Sequence, residues 1–114
     1  MPRPRNLGAR YEDEAAEFLA AQGYTLITRR FRVRGGEVDI IALEGEVLAF
    51  VEVRQRSHPG YAPEASVDRA KQARVFEAAT IYLGRFEGPE REVRFDLVAI
   101  TPEGMTLHKD AFRP

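Results

Sequence analysis

Hydrophobic positions along the chain follow two different spacings. In two stretches apolar side chains recur every three or four residues, which is typical of amphipathic helices. In five shorter stretches they alternate with polar residues or run without a break, as in β-strands, and glycine-containing turns separate most of these stretches. The predicted helices are residues 6–22 and 66–83, and the predicted strands are residues 24–33, 37–43, 47–54, 91–101 and 105–108.

The order of these elements, α-β-β-β-α-β-β, predicts an α/β fold. Three strands joined by short turns form a meander, and the helix that follows carries the chain over to a fourth strand. We therefore expect a mixed sheet with helices packed on its faces. At 114 residues the chain has room for one hydrophobic core, so residues 1–114 are expected to form a single domain.

Polar residues and glycine mark the predicted ends of the helices. Asn6 is placed to cap the first helix and Gly23 to end it, while Ser66 is placed to cap the second. Before Ser66, residues 55–65 contain two prolines and a glycine, which predicts an exposed loop.

Acidic residues inside the second and third strands are the most informative feature of the sequence. Strict alternation places Val38 and Ile40 on one face of the second strand and Asp39 on the other. It places Glu52 and Arg54 together on one face of the third strand. Both strands are mostly apolar on both faces, which predicts a sheet covered on both sides. Because burying an unpaired charge is costly, something must compensate these charged side chains.

Three interpretations of Asp39, Glu52 and Arg54 follow from the pattern alone. The arginine could pair with both acids in a structural ion network, or Glu52 and Arg54 could lie in water beyond the sheet edge. Alternatively, the two carboxylates converge on a divalent cation, since hairpin-linked strands bring residues of one face side by side. Mg²⁺ takes one or two carboxylates with water and substrate phosphate, which would support phosphodiester hydrolysis. Asp96, an acid in a later apolar strand, could likewise pair with an arginine or take part in chemistry.

Charge is distributed unevenly along the chain. The net charge of −1 by itself argues against a simple electrostatic nucleic-acid binder. Residues 1–34 hold seven arginines against four acids, and the remainder is acidic. Arg30, Arg32 and Arg34 share a face of the first strand and could follow a phosphate backbone. The alternative is a solvated edge strand protected by charge. Arginine outnumbers lysine fifteen to two, which suits phosphate contacts but also a GC-rich or thermophilic source.

Composition excludes several classes of site. The chain has no cysteine, so disulfides, thiol nucleophiles, thiolate zinc sites and iron–sulfur clusters are ruled out. No apolar run approaches the roughly 20 residues needed to span a bilayer. The basic N-terminus has no apolar stretch behind it, so a secretory signal is not expected and a cytoplasmic location is.

Six short motifs occur in order along nearly the whole chain. They are Gly8 with Glu12, GGEVDIIA at residues 35–42, FVEVRQR at 50–56, ASVDRAKQAR at 65–74, RFDLVAI at 94–100 and KDAF at 109–112. Together they resemble the YraN family of small bacterial proteins, which is similar to archaeal Holliday-junction resolvases and to the restriction-endonuclease-like, or PD-(D/E)xK, superfamily. The resemblance implies a three-layer α/β/α core around a mixed central sheet.

The same resemblance implies roles for individual residues. Asp39 and Glu52 match the superfamily's ligands for Mg²⁺ or Mn²⁺, and Glu12 matches a first-helix glutamate that joins the metal site. Arg54 stands where the superfamily motif has lysine; it cannot release a proton near neutral pH, but it can hold a phosphate or the attacking water. Lys71 is the candidate for a displaced lysine, and the alternative for it is an ordinary solvated helix position.

The implied function is a metal-dependent nuclease that hydrolyses phosphodiester bonds in DNA, including branched, junction-like DNA. Arginine in place of lysine, together with the acidic net charge, favours an alternative: a nucleic-acid-binding protein on the same fold without turnover, accessory to repair or recombination. A third alternative is a scaffold in which the charged set is purely structural. Resolvase-like relatives further imply a homodimer. The residues expected to contact nucleic acid are Arg30, Arg32, Arg34 and Arg56.

Overall fold

The computed structural model of the protein describes residues 7–55, 67–86 and 88–114. The predicted order of helices and strands is confirmed, and most boundaries fall within two residues of the predicted ones. The elements are α1 (Leu7–Ala21), β1 (Thr25–Val33), β2 (Gly36–Glu44), β3 (Val47–Gln55), α2 (Arg69–Arg85), β4 (Val93–Thr101) and β5 (Gly104–His108).

The five strands form one mixed sheet in the order β1-β2-β3-β4-β5. Strands β1, β2 and β3 are antiparallel neighbours, and two-residue turns with Gly35 (φ +81°) and Gly45 (φ +57°) join them. The crossover through α2 makes β4 parallel to β3, and β5 returns antiparallel to β4. The predicted mixed sheet is therefore confirmed.

Apolar side chains cover both faces of the sheet, as predicted. On one face α2 packs Val75 and Ala79 against a cluster that includes Phe50. On the opposite face α1 packs Ala15 and Leu19 against a second cluster. The result is the three-layer α/β/α arrangement that the resemblance implied.

The predicted faces hold for β3 but are wrong for β2. In β3, Phe50 lies in the cluster beneath α2 and Val51 in the cluster beneath α1, as alternation requires. In β2, however, Val38 lies beneath α2 whereas Ile40 lies beneath α1. Because two residues with one between them share a face in a regular strand, β2 must change faces at the residue between them.

The change of face coincides with an irregularity in the neighbouring strand. Arg30, which is opposite Asp39, has a left-handed backbone conformation with φ 52°. The register pairs Arg29 with Ile40 and Phe31 with Val38, but it lacks the Arg30–Asp39 pair between them. Both strands therefore depart from regular geometry at the same place.

The N-terminus of α2 is capped by Asp68 and not by Ser66, so that prediction was wrong. Asp68 is extended (φ −69°, ψ 172°), and its carboxylate accepts a hydrogen bond from the Lys71 backbone amide at 2.8 Å. Asp68 is as good a capping residue as serine, and its negative charge also suits the positive end of the helix dipole. Ser66 and residues 56–65 of the predicted loop lie outside the described residues, whereas Gln55 ends β3.

Within residues 7–55, 67–86 and 88–114, no helix is both long and apolar enough to cross a membrane.

Candidate functional site

A small cavity of about 170 Å³ opens between the end of β3 and the first turns of α2. Acids from the sheet line one side of it and cations from the helix line the other. A volume of this size holds several water molecules. The lining residues are Glu37, Asp39, Glu52, Ala70, Lys71 and Arg74.

Glu52 lies at the floor of this cavity, where it is buried with one oxygen that accepts no hydrogen bond from a residue that the structure describes. Its side chain is only 1% exposed, yet its Oε2 atom accepts no hydrogen bond from the described part of the chain. The nearest cation is the Nζ atom of Lys71, at 3.6 Å, which is an ion pair but too long for a hydrogen bond. Burial, followed by the negative charge of Asp39, raises the pKa of Glu52 to about 8.

Asp39 is held beside Glu52 by the irregularity in β2. The β2–β3 ladder ends at the pair Ile40 and Val51, so the Val53 amide has no backbone partner on β2. The Asp39 Oδ2 atom accepts the hydrogen bond from this amide at 2.8 Å. Burial raises the pKa of Asp39 and the Val53 amide opposes this rise. Asp39 is therefore fixed through its Oδ2 atom at the lining of the cavity.

Lys71 extends from the first turns of α2 over the two acids. Its backbone amide is tied to the Asp68 cap, which fixes the start of the helix. Its side chain is 39% exposed, so it reaches both the cavity and solvent. The structure thus places Lys71 against Glu52 and not in the fully solvated position that was the alternative.

The distance of α2 from the sheet is fixed by Gly36. A Cβ atom at this position would lie 2.7 Å from the Ala78 amide nitrogen and 2.7 Å from the Arg74 carbonyl oxygen, closer than side chains approach in proteins. The helix backbone therefore rests directly on the start of β2. The turn between β1 and β2 needs only one left-handed glycine, Gly35, so Gly36 is not required by the turn itself.

Glu12, the third predicted metal ligand, lies near the acids but is paired elsewhere. It forms an ion pair with Arg30 on β1. Its charge contributes to the raised pKa of Asp39, after burial. It does not line the cavity. In the described residues no group of three or more carboxylate or histidine side chains comes together as a metal-binding cluster.

Asp39 and Glu52 are nevertheless a suitable donor set for a hard divalent cation. Mg²⁺ and Mn²⁺ bind carboxylate oxygens and keep several positions for water and phosphate, so one or two protein carboxylates suffice. A buried carboxylate oxygen without a hydrogen bond is a ready ligand of this kind. Both residues therefore fit the metal that the resemblance implied.

Arg54 acts on the acid pair from the end of β3. Its positive charge opposes the rise in the pKa of Glu52, but less than Lys71 does, and burial outweighs both. It is half-buried and does not line the cavity. Lys71, on the helix, thus lowers the pKa of the buried carboxylate more than the arginine two residues along the strand does.

The arginines of β1 are largely matched by acids. Arg30 pairs with Glu12, and Arg32 pairs with Glu37 at 3.4 Å. Arg34 forms no ion pair with a described residue. Arg56 lies outside the described residues.

Asp96 lies on the opposite face of the sheet, where it pairs with arginine. It is 0% exposed and accepts four hydrogen bonds. Its donors are Tyr24 Oη at 2.8 Å, Arg94 Nε at 2.7 Å and Nη2 at 2.9 Å, and the Asp110 amide at 2.9 Å. Arg94 also binds Glu44 at 2.8 Å, so the cluster joins β2 to β4. Of the two interpretations of Asp96, the structure shows pairing with an arginine.

A family model described as the uncharacterised protein family UPF0102 matches residues 11–100, a span that contains the whole cavity. The chain belongs to the UPF0102 family. The resemblance to the YraN family is thereby confirmed, because UPF0102 is that family.

UPF0102 proteins from several bacteria are similar over most of their length. A UPF0102 protein of Halorhodospira halophila is 45% identical over 111 residues, which cover 96% of this chain and 89% of the relative. One from Chlorobaculum parvum is 45% identical over 101 residues, covering 88% and 78%. One from Symbiobacterium thermophilum is 44% identical over 99 residues, covering 86% and 84%. None of these names states an activity.

Proposed function

We propose that this UPF0102 protein is a metal-dependent nuclease that hydrolyses phosphodiester bonds in nucleic acid. The observation that carries the proposal is the buried Glu52 carboxylate, whose Oε2 atom lacks a hydrogen bond while lying beside Asp39 and beneath Lys71. Asp39 and Glu52 would bind Mg²⁺ or Mn²⁺, and Lys71 would contact the scissile phosphate.

The contrast with Asp96 supports this proposal over a structural ion network. Both carboxylates are almost completely buried in the same sheet. Asp96 receives four hydrogen bonds, as expected of a buried charge that serves stability. Glu52 faces a cavity and leaves one oxygen without a hydrogen bond, which costs stability unless a ligand completes the site.

The chain's own residues have separate parts in the proposed chemistry. A bound Mg²⁺ or Mn²⁺ would supply an activated water and neutralise charge on the phosphate. Asp39, held through Oδ2 by the Val53 amide, lines the cavity and would be one of the two metal ligands. Lys71 carries its positive charge to the acid pair and can stabilise the extra negative charge that develops on the phosphate. Arg54 can contribute charge but cannot accept or release a proton near neutral pH.

The substrate and setting follow from the resemblance and remain part of the proposal. Resolvase-like proteins act on DNA, including branched DNA, and a homodimer would allow both strands to be cut. Such a protein would work in the cytoplasm. Of the four arginines assigned to nucleic-acid contact, Arg34 and Arg56 keep that assignment unchanged. Arg30 and Arg32 would first have to leave Glu12 and Glu37.

Cleavage of labelled single-stranded, duplex and four-way-junction DNA tests the proposal. The wild-type protein is incubated with each DNA in Mn²⁺, Mg²⁺ or EDTA, beside Asp39→Asn and the control Glu17→Gln, which changes an exposed acid on α1. We expect metal-dependent cleavage that falls by more than about 100-fold in Asp39→Asn, since a first metal ligand matters at least as much as its supporting groups. Unchanged cleavage by a folded Asp39→Asn variant would refute the assignment.

A second candidate function is nucleic-acid binding without turnover. It is favoured by Arg54 in the motif's lysine position and by the pairing of Glu12 with Arg30. It predicts a salt-dependent affinity for DNA and no metal-dependent cleavage of any of the three DNAs.

A further inference from the structure

The basic residues of β1 have little charge left for a phosphate backbone. Arg29 pairs with Asp13, Arg30 with Glu12 and Arg32 with Glu37. An arginine that already binds a carboxylate must exchange one anion for another to bind a phosphate, so little is gained. The basic run that stands out in the sequence is therefore mostly neutralised in the fold.

The cations beside the cavity are in a different situation. Lys71 and Arg74 are three residues apart on α2, so they lie on one side of the helix, and both line the cavity. Arg74 is exposed and forms no ion pair or side-chain hydrogen bond with a described residue. Its guanidinium therefore keeps its donors for a ligand.

The β1–β2 hairpin, which packs on the same helix, carries another exposed cation. Arg34 precedes the two glycines of the turn, and Gly36 rests against the backbone of Arg74 and Ala78. The packing that places α2 on the sheet thus sets the hairpin carrying Arg34 against the helical turn carrying Arg74. Arg34 is also exposed and forms no ion pair with a described residue.

Cations at this rim favour the entry of a phosphate. The floor of the cavity is lined by the carboxyl groups of Glu37, Asp39 and Glu52, and each of these groups that is ionised repels a phosphodiester. Arginine is well suited to the task because its planar donors can bind a phosphate through two hydrogen bonds at once.

We infer that Arg74, with Arg34 on the adjacent hairpin, binds the sugar–phosphate backbone at the rim of the acidic cavity and positions the neighbouring phosphodiester between Lys71 and the acid pair. This inference rests on the proposed function for the identity of the substrate. It assigns backbone contact to the α2 side of the site, whereas the sequence pointed to the arginine-rich strand β1.

The test is DNA binding as a function of salt, measured without catalysis. Fluorescein-labelled single-stranded and four-way-junction DNA are titrated with protein in EDTA and in Ca²⁺, and anisotropy is recorded at several salt concentrations. The variants are Arg74→Gln, Arg74→Lys and Arg85→Gln. Arg85 is the matched control because it is an exposed arginine in the last turn of the same helix and does not line the cavity.

We expect Arg74→Gln to weaken binding by about tenfold and to reduce the slope of log affinity against log salt by roughly 0.7 to 0.9, which corresponds to one lost phosphate contact. Arg74→Lys should restore the slope but only part of the affinity, and Arg85→Gln should match the wild type. If a matched RNA oligonucleotide binds more tightly than DNA, with the same dependence on Arg74, the result supports backbone binding at the rim and indicates that the nucleic acid is RNA.

Failure of this inference and failure of the proposed function are distinguishable. If wild type and Arg74→Gln bind DNA with the same affinity and salt slope, or if wild type does not bind at all, backbone binding by Arg74 and Arg34 is refuted, whether or not cleavage occurs. If Arg74→Gln loses affinity as expected while wild type cleaves no DNA in Mg²⁺ or Mn²⁺, backbone binding by Arg74 is supported and the hydrolytic function is refuted.

Discussion

Replacing Glu52 with glutamine removes a charge that the fold holds almost entirely out of water. The side chain keeps its size, so the variant tests the electrostatics of the site without opening a cavity. Burial and the charge of Asp39 raise the pKa of Glu52 from its ordinary value of 4.5 to about 8. The folded protein therefore holds this proton more tightly than the unfolded chain does.

The direction of the pH effect follows from this difference. The stabilising contribution of the protonated Glu52 is fully present below pH 4.5 and is lost as the pH rises to about 8. One pKa unit corresponds to about 1.4 kcal/mol, so the free energy of unfolding should fall by at most about 1.4 kcal/mol per pH unit. The total loss across this range is on the order of a few kcal/mol.

The assay is urea unfolding in EDTA at pH 5, 6, 7 and 8 for wild type, Glu52→Gln and the control Glu17→Gln. The difference between wild type and Glu52→Gln reports the titration of Glu52 together with its effect on the neighbouring Asp39, because the remaining titrating groups are common to both. We expect the Glu52→Gln variant to gain stability relative to wild type as the pH rises and to be the more stable of the two at pH 8. A difference that stays constant from pH 5 to pH 8 would mean that folding does not raise the pKa of Glu52.

Three further predictions concern packing, charge and the helix lysine. Gly36→Ala should lower the free energy of unfolding by about 1 to 3 kcal/mol, because its Cβ would lie 2.7 Å from the α2 backbone. Gly84→Ala, whose Cβ would have nothing within 4 Å, should be neutral or stabilising, and thermal unfolding of both variants measures the difference. Arg94→Leu should lower the free energy of unfolding by about 3 to 5 kcal/mol in urea unfolding, since it leaves the buried Asp96 carboxylate without its cation partner; a loss below 1 kcal/mol would contradict this. Lys71→Met should lower any metal-dependent DNA cleavage by about 100-fold while changing the urea midpoint little, and normal turnover would remove Lys71 from the proposed chemistry.

The sequence was informative where regular alternation governs the structure. In β3 the pattern of apolar residues placed Phe50 and Glu52 on one face, and the structure has both facing α2. The order of elements and the mixed sheet followed from the same pattern, because a two-residue turn forces antiparallel pairing and a helical crossover allows parallel pairing.

The sequence failed where the backbone departs from regular geometry or where two distant segments touch. Nothing in the apolar pattern shows that Arg30 adopts a positive φ, so the change of face at Asp39 could not be foreseen. The contact of Gly36 with α2 depends on tertiary packing, and so does the position of Arg74 at the cavity. The sequence did hold one signal for the contact with α2: Gly36 follows Gly35, although the turn needs only one glycine.

Mn²⁺ titration by calorimetry shows whether Asp39 and Glu52 together bind a divalent cation. The titration uses wild type, Asp39→Asn and Glu17→Gln, with circular dichroism to show that each protein is folded. We expect one Mn²⁺ per chain for wild type and for Glu17→Gln, and loss of that binding in Asp39→Asn. If wild type binds no Mn²⁺, or if Asp39→Asn binds it equally well, Asp39 and Glu52 are a structural pair and not a metal site.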